Sequence, residues 1–411
     1  MGFIGKQPTP VPLTASDITD GIISTDKLAS NAVTSAKITD GSIATADIAD
    51  SAVTKAKTTG VVSDPFRNLI INGDMSISQR ATSKSSITGN GYHTLDRYHL
   101  NCDTMGTWTM SQSTDVPTGQ GFAKSLKLDC TTADASPASA DQLKIQIKLE
   151  GQNLQFLKKG TSSAVSTTLS FWVRSYKTGT YIARLEDTDN SRNISKSYTI
   201  SSADTWEKKE ITFAGDTTGT LTNDFNNSLV VELILGAGSD FTSGTLNTSW
   251  NSTTNANVAV GQVNLADNTA NDFYVTGIQL EAGTSASDFE FLPHTVNLKR
   301  CQRYCEKIDK STTESVICLG QGTGGSSVFG RVYFETAKRV VPSGTISAAS
   351  DIQVLTGSAS AWSTASGASV QAGDERTMRL ALTGLSGMTT GGCHEVRINA
   401  SDGSIIYDAE I

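Results

Sequence analysis

Residues 18–37 read ITDGIISTDKLASNAVTSAK and residues 38–57 read ITDGSIATADIADSAVTKAK. Twelve of the 20 paired positions are identical, so the stretch is a true internal repeat. Inside it runs a shorter period. Apolar residues stand at Ile18, Ile23, Leu28, Val33, Ile38, Ile43, Ile48 and Val53, always five apart. Two positions before each stands a small or turn-forming residue: Ser16, Gly21, Asp26, Asn31, Ala36, Gly41, Ala46 and Ser51. Five matches neither the 3.6 period of a helix nor the 2 period of a strand. One apolar residue in five cannot fill a globular core. It can line a narrow axial seam where coils stack or identical chains wind together. Two copies of a 20-residue unit are marginal alone, which makes self-association the natural remedy. A disordered Ala/Ser/Thr/Asp-rich linker is the competing reading, and the strictness of the period favours the shaft.

Working outward, residues 7–12 (QPTPVP) hold three prolines, which favour extended backbone and exclude a helix. Such an arm suits docking onto another protein and equally suits a free tail. Beyond the repeat the chain turns to β-type patterning. Strands are expected at Leu143–Leu149, Thr168–Arg174, Tyr181–Glu186, Ile194–Ile200, Trp206–Phe213, Leu229–Leu235 and Phe273–Leu280. Several alternate apolar and polar residues, with turn clusters such as Asp187-Thr188-Asp189-Asn190 between them. Many strands with regular turns imply a β-sandwich or jelly roll. Residues 295–308 carry a helical pattern, with Leu298, Cys301, Cys305 and Ile308 on one face and Thr295 as N-cap. Strand character returns at Ser327–Thr336, Thr377–Leu382, His394–Asn399 and Ser404–Asp408.

The expected fold is therefore mainly β. It comprises an extended docking arm (1–15), an elongated pentad-repeat shaft (16–60), a jelly-roll β-sandwich (61–294), a short connector helix (295–310) and a small C-terminal β domain (311–411).

Composition narrows the function. The chain has 411 residues, of which 18% are charged, and its net charge is −8 with no long basic run. Phosphate binding needs clustered Lys and Arg, so no nucleic-acid partner is expected. The longest apolar stretch, Leu229–Leu235, is too short to span a bilayer and contains Glu232, so no membrane insertion is expected. The N-terminus lacks a signal-peptide pattern, which suggests synthesis and retention in a cytoplasm before assembly elsewhere. Six cysteines without CxxC spacing read as reduced structural thiols.

Three segments resemble tail-fibre and appendage proteins of tailed bacteriophages of the marine type. The first is GFIGKQPTPVPLTASDITDGIIST with its following repeats. The second is Asn68-Leu69-Ile70-Ile71-Asn72-Gly73-Asp74-Met75, followed by Gln79-Arg80 and Leu95-Asp96-Arg97-Tyr98. The third is Val275-Thr276-Gly277-Ile278-Gln279-Leu280-Glu281-Ala282-Gly283, followed by Asp288-Phe289-Glu290 and Cys301-Gln302-Arg303-Tyr304. The resemblance covers roughly residues 1–308. It implies a jelly roll similar to carbohydrate-binding modules, bracketed by the second and third segments. It also implies a homotrimer in the virion, made in the host cytoplasm and anchored by its N-terminal arm to a tail or capsid protein. The β domains would then serve host attachment. A capsid-bound fibre or decoration protein and a polysaccharide depolymerase are the alternatives. No cofactor is expected. Since such jelly rolls often hold a structural calcium, the resemblance points to Asp74, Asp272 and Glu281 as its ligands.

No catalytic residue is assigned. The carboxylate pairs Glu186/Asp187, Glu207/Glu210 and Asp288/Glu290 lie by turns or on polar-alternating strands, where a solvated surface acid is the commoner case. No G-x-S-x-G elbow marks a strand-to-helix junction. Trp250 and Trp362, in Ser/Thr/Asn-rich loops, are the candidates for exposed contact with a host-surface glycan or a neighbouring subunit.

Overall fold

In the sequence LKIQIKL, apolar side chains at Leu143, Ile145, Ile147 and Leu149 alternate with Lys and Gln. In the computed structural model those four turn into one core while the intervening residues face the other way. The structure describes residues 23–30, 32–39, 42–44, 47–48, 66–310, 315–357 and 361–411. Met1–Ser63 and Asp64–Ile411 form two separate compact units.

The second unit begins with β1 (Ser83–Ile87), β2 (Gly91–Tyr92), β3 (His99–Asp103), β4 (Thr107–Ser113) and β5 (Ser125–Thr132). Next come β6 (Gln142–Glu150), β7 (Thr167–Ser175), β8 (Gly179–Asp187), β9 (Arg192–Ile200) and β10 (Glu207–Phe213). Strand β11 (Asn227–Ala237), helix α1 (Ser239–Thr242), β12 (Asn251–Ser252) and β13 (Asp272–Ala282) complete the sandwich. Among the described residues it consists of two antiparallel sheets, ordered β1-β4-β5-β13-β7-β10 and β12-β9-β8-β11-β6-β3-β2. Their facing sides share one apolar core that includes Trp108, Phe171, Phe213, Leu233 and Phe273. The fold is a jelly-roll β-sandwich, mainly β as its sequence implies. All seven strands expected in this part are present, extended by one or two residues or trimmed by one.

Strands β11 and β13 are buried on both faces, unlike their alternating neighbours. Residues 66–73 line the edge of the second half of β13, beyond its pairing with β5. The Leu69 amide donates to the Leu280 carbonyl, the Ile278 amide to the Gly73 carbonyl, and the Asn68 side chain bonds both Ile278 and Leu280. A Cβ on Gly73 would sit 2.2 Å from the Ile278 oxygen, so only glycine permits this approach. The register of β13 against β7 slips between Thr276 and Gln279, where Gly277 adopts φ +64°.

The 295–310 helix is shorter than its pattern predicts. Helix α2 spans His294–Gln302, and Cys305–Asp309 is strand β14. The apolar spacing at 298, 301, 305 and 308 satisfies a helix, but the backbone of 305–309 is captured in register by β23 (Ser404–Asp408). Nor does Thr295 cap α2: Pro293 does, its carbonyl accepting the Val296 and Asn297 amides.

The C-terminal strands are β15 (Ser315–Gly324), β16 (Ser327–Tyr333), β17 (Ser343–Ile346), β18 (Ile352–Leu355) and β19 (Trp362–Thr364), then β20 (Gly367–Gly373), β21 (Thr377–Thr383) and β22 (Cys393–Ile398). Among the described residues they form a seven-stranded sheet, β19-β18-β22-β15-β16-β21-β20, and a three-stranded one, β14-β23-β17. A second apolar core built from Val328, Leu380, Leu382, Val396 and Ile398 lies under them. The two halves of the unit share polar contacts: Arg80 bonds Asp408 at 2.8 Å, and Lys148 and Tyr92 donate to the Ile411 carbonyl at 2.8 and 3.1 Å.

Candidate functional site

The pentad sequence dictates a repeating turn. Backbone hydrogen bonds of 2.9 Å run from Lys27 to Ser24, Ala32 to Ala29, Lys37 to Thr34, Ser42 to Thr39 and Asp47 to Ala44. Each turn closes one residue before an apolar side chain: Leu28, Val33, Ile38, Ile43 and Ile48. These, with Ile23, remain 40–56% exposed in the single chain. The turn uses only local hydrogen bonds, so it repeats with the sequence and leaves the apolar row about half exposed. Ile18 and Val53 lie outside the described residues, as do the whole docking arm and the ends of the expected shaft.

Trp250 and Trp362 are not the freely exposed rings expected of loop tryptophans; both are half-buried. Trp250 packs against the sandwich core, its indole N–H donates to the Ala214 carbonyl at 2.7 Å, and the Lys159 ammonium lies 4.6 Å from the ring centre. Lys159 in turn bridges Asp187 and Asp216, and Arg192 grips Asp216 at 2.8 and 2.9 Å. Trp362 lies under the Arg397 guanidinium, 3.6 Å from the ring centre. A cation seated on an indole face satisfies its electron-rich surface, so these tryptophans brace loops rather than offer bare stacking platforms.

The three carboxylates suggested for calcium do not converge. Asp272 and Glu281 sit at opposite ends of β13, nine residues and roughly 30 Å apart at about 3.3 Å per residue. Glu281 accepts hydrogen bonds from Ser287 and Gln279, and Asp272 accepts the Tyr176 amide. Asp74 is held by Ser76 and Asn297. Among the described residues no group of three or more His, Cys, Asp or Glu side chains is placed to hold a metal ion. All six cysteines are free. Asp187-Thr188-Asp189-Asn190 is a turn held by its first side chain, with the Asn190 backbone N–H donating to the Asp187 carboxylate at 2.9 Å.

What sequence reading missed is the outer face of the seven-stranded sandwich sheet. In the apolar run LVVELIL, the alternation that sends Val231 and Leu233 inward sends Glu232 outward. There its carboxylate meets Arg184 at 2.8 Å, Lys144 at 3.0 Å and Gln146 at 2.7 Å, and Arg184 also holds Glu186 at 2.9 Å. Burial pushes the Glu232 carboxyl up, but the two cations and the Gln146 hydrogen bond outweigh it and hold the group well below the usual carboxylate range. Beside the network the 238–262 loop folds over Ile182 and Ile234, and the two enclose a cleft of about 240 Å³. A lone Glu inside an apolar run, opposite Lys and Gln on the neighbouring strand, was the available signal.

The second and third resemblance segments meet in space. Asn72 accepts from the Ile77 amide and donates to the Ile77 and Asp96 carbonyls, and Tyr98 donates to the Asn72 carbonyl. Arg97 stacks 3.5 Å over the Tyr304 ring, and Arg303 and Tyr304 both bind Glu150. Their placement makes them a buried scaffold.

No protein-family model matches the sequence, and no curated protein matches it. Solved structures similar to this chain include the enzymatically active domain of bacteriophage CBA120 tailspike protein 4, at 11% identity and TM-score 0.28 over 54% of this chain. This chain spans 22% of that one's length. TmCBM61 in complex with β-1,4-galactotriose matches at 9% identity and TM-score 0.27, over 53% of this chain and 99% of that one. A family 11 carbohydrate-binding module from Clostridium thermocellum, in complex with a β-1,3-1,4-mixed-linked tetrasaccharide, matches at 12% and 0.24, over 50% and 99%. Similarity at this level assigns neither a family nor an activity.

Proposed function

We infer that this chain is a self-associating fibre subunit of a bacteriophage virion. In this reading residues 16–60 wind with those of identical chains, most simply as a trimer. The 1–15 arm docks on a tail or capsid protein, and the β body faces the host surface and binds its glycans without cleaving them. The observation that carries the reading is the exposed apolar row, one residue every five, behind a turn that repeats at the same interval. Covering a half-exposed Ile, Leu or Val contributes about 1 kcal/mol, so a row of them along each chain supports a stable seam.

Sedimentation equilibrium of the purified chain tests this. The expected species at micromolar concentration is a trimer, and the double substitution Ile38→Asp with Ile43→Asp converts it to monomer while circular dichroism of the β body stays unchanged. A wild-type chain that sediments as a monomer at tens of micromolar overturns the reading.

The depolymerase rival has a structural foothold in Glu186 and Glu232, which line the same cleft. Glycoside cleavage requires one carboxyl to stay protonated as general acid. Glu232 is instead held ionised by Lys144 and Arg184, and Glu186 is bound to Arg184. This favours binding over cleavage. An assay for new reducing ends on host envelope polysaccharide separates the two.

A further inference from the structure

A second groove, of about 440 Å³, opens at the C-terminal end of β6, between the loop that follows it and helix α2. Four cations line it (Arg97, Lys148, Arg300 and Arg303) against one carboxylate, Glu150. That carboxylate is already satisfied. It is fully buried and takes both Arg303 contacts at 2.8 Å, the Tyr304 hydroxyl, and the Gln152 amide at 2.5 Å. Arg97 is matched by Glu410, and Lys148 donates to the Ile411 carbonyl at 2.8 Å.

Arg300 differs from the other three. Its guanidinium makes one long hydrogen bond, 3.3 Å, to the Asn68 carbonyl, and no carboxylate among the described residues lies within ion-pair distance of it; Glu290, which acts on it from farther off, pairs with Arg67. It is half-buried, and burial pulls its proton affinity down. A partly desolvated cation with spare planar donors is the complement of a carboxylate, which it can grip through two parallel N–H bonds.

The rim adds a second kind of recognition. Phe66 and Phe156 line the same groove with rings 58% and 50% exposed. Two flat apolar rings beside the exposed Asn153 amide and the Gln152 side-chain oxygen fit a ligand with one apolar face and many hydroxyls. A sugar ring has both, and a sugar acid adds the carboxylate.

We propose that this groove binds an acidic saccharide, with the sugar carboxylate on Arg300 and the ring faces against Phe66 and Phe156. The proposal rests on the reading that the β body contacts surface glycans, and it names both a site and a ligand class that reading leaves open. It is separate from the Glu232 cleft.

Isothermal titration of the full chain with tetragalacturonate, and with neutral galactotetraose as control, tests it. The acidic oligomer is expected to bind at least ten-fold more tightly than the neutral one. Arg300→Ala should erase that preference, Arg300→Lys should retain part of it, and Phe156→Ala should weaken the acidic ligand several-fold. Phe156 is exposed, so its variant keeps the test open should Arg300→Ala fail to fold. If the neutral oligomer binds and the acidic one gains nothing, or if Arg300→Ala leaves the preference intact, the groove assignment falls while glycan contact stands. If neither oligomer binds, the groove assignment falls. Glycan contact falls with it only if a panel of host envelope polysaccharides is not retained either.

Discussion

Replacing Arg97 with Ala is expected to lower the stability of the β body by about 3–5 kcal/mol, the range for breaking a buried ion pair by removing one partner. Arg97 is 1% exposed. It pairs with Glu410, donates to the Lys148 carbonyl at 2.5 Å and lies 3.5 Å over the Tyr304 ring. Its loss strands Glu410 in a dry environment with Arg80, at 3.4 Å, as its remaining ionic partner. It also opens a void the size of a guanidinium beside Tyr304. Glu410 follows β23, the strand that joins β14 and β17, so the damage reaches both halves of the 64–411 unit. Urea denaturation at pH 7 measures it, and a double-mutant cycle with Glu410→Ala separates the pair's coupling from the packing loss. A loss under 1 kcal/mol for Arg97→Ala would show that the pair is dispensable.

The second large effect is at Glu232. Glu232→Ala removes the shared partner of Lys144 and Arg184, both of which are largely buried, and leaves Arg184 with Glu186 and Lys144 beside an uncompensated positive charge. A loss of about 3–5 kcal/mol at pH 7 is again expected. Glu232→Gln, which keeps the shape and a hydrogen bond to Gln146, should cost less. The carboxyl is held below its ordinary value of 4.5 in the folded state, so the folded state binds fewer protons there than the unfolded state does. Its contribution is therefore complete above about pH 4.5 and is lost as the pH falls through the lowered folded value. Asp216 acts in the same window. Burial raises it, but the Arg192 and Lys159 contacts prevail and bring it down to about 2. Stability measured from pH 7 to 2.5 should fall along an acid limb that is shallower in Glu232→Gln and retains the Asp216 part. An unchanged limb would mean that the network carries no net charge coupling.

The strands of the sandwich were legible because their cause is local. Period-2 alternation in LKIQIKL or TLSFWVR records which side chains meet the core. The same rule misled at 305–309, where a helical spacing was real but the backbone found a partner about a hundred residues further on, in β23. At Trp250 and Trp362 a Ser/Thr/Asn-rich context signalled exposure. The structure instead seats cations on both rings, from Lys159 and Arg397, which lie far from them in sequence. Asp74, Asp272 and Glu281 do not form a set because Asp272 and Glu281 stand at opposite ends of one extended strand, roughly 30 Å apart.

By itself, the sequence determined the five-residue period and the row of apolar side chains that it exposes. The turn behind each one closes over three residues, and local hydrogen bonds need no distant partner. It also determined the β character of residues 66–411, since alternation and turn residues act over a few positions. Only the tertiary structure decided that the 68–75, 95–98, 275–283 and 301–304 segments share one buried polar scaffold. It alone also set Glu232 between Arg184 and Lys144, and placed Arg300 in a groove where, among the described residues, no carboxylate pairs with it. These are juxtapositions of residues tens to hundreds of positions apart, set by sheet order and strand register, and no short-range pattern in the chain encodes them.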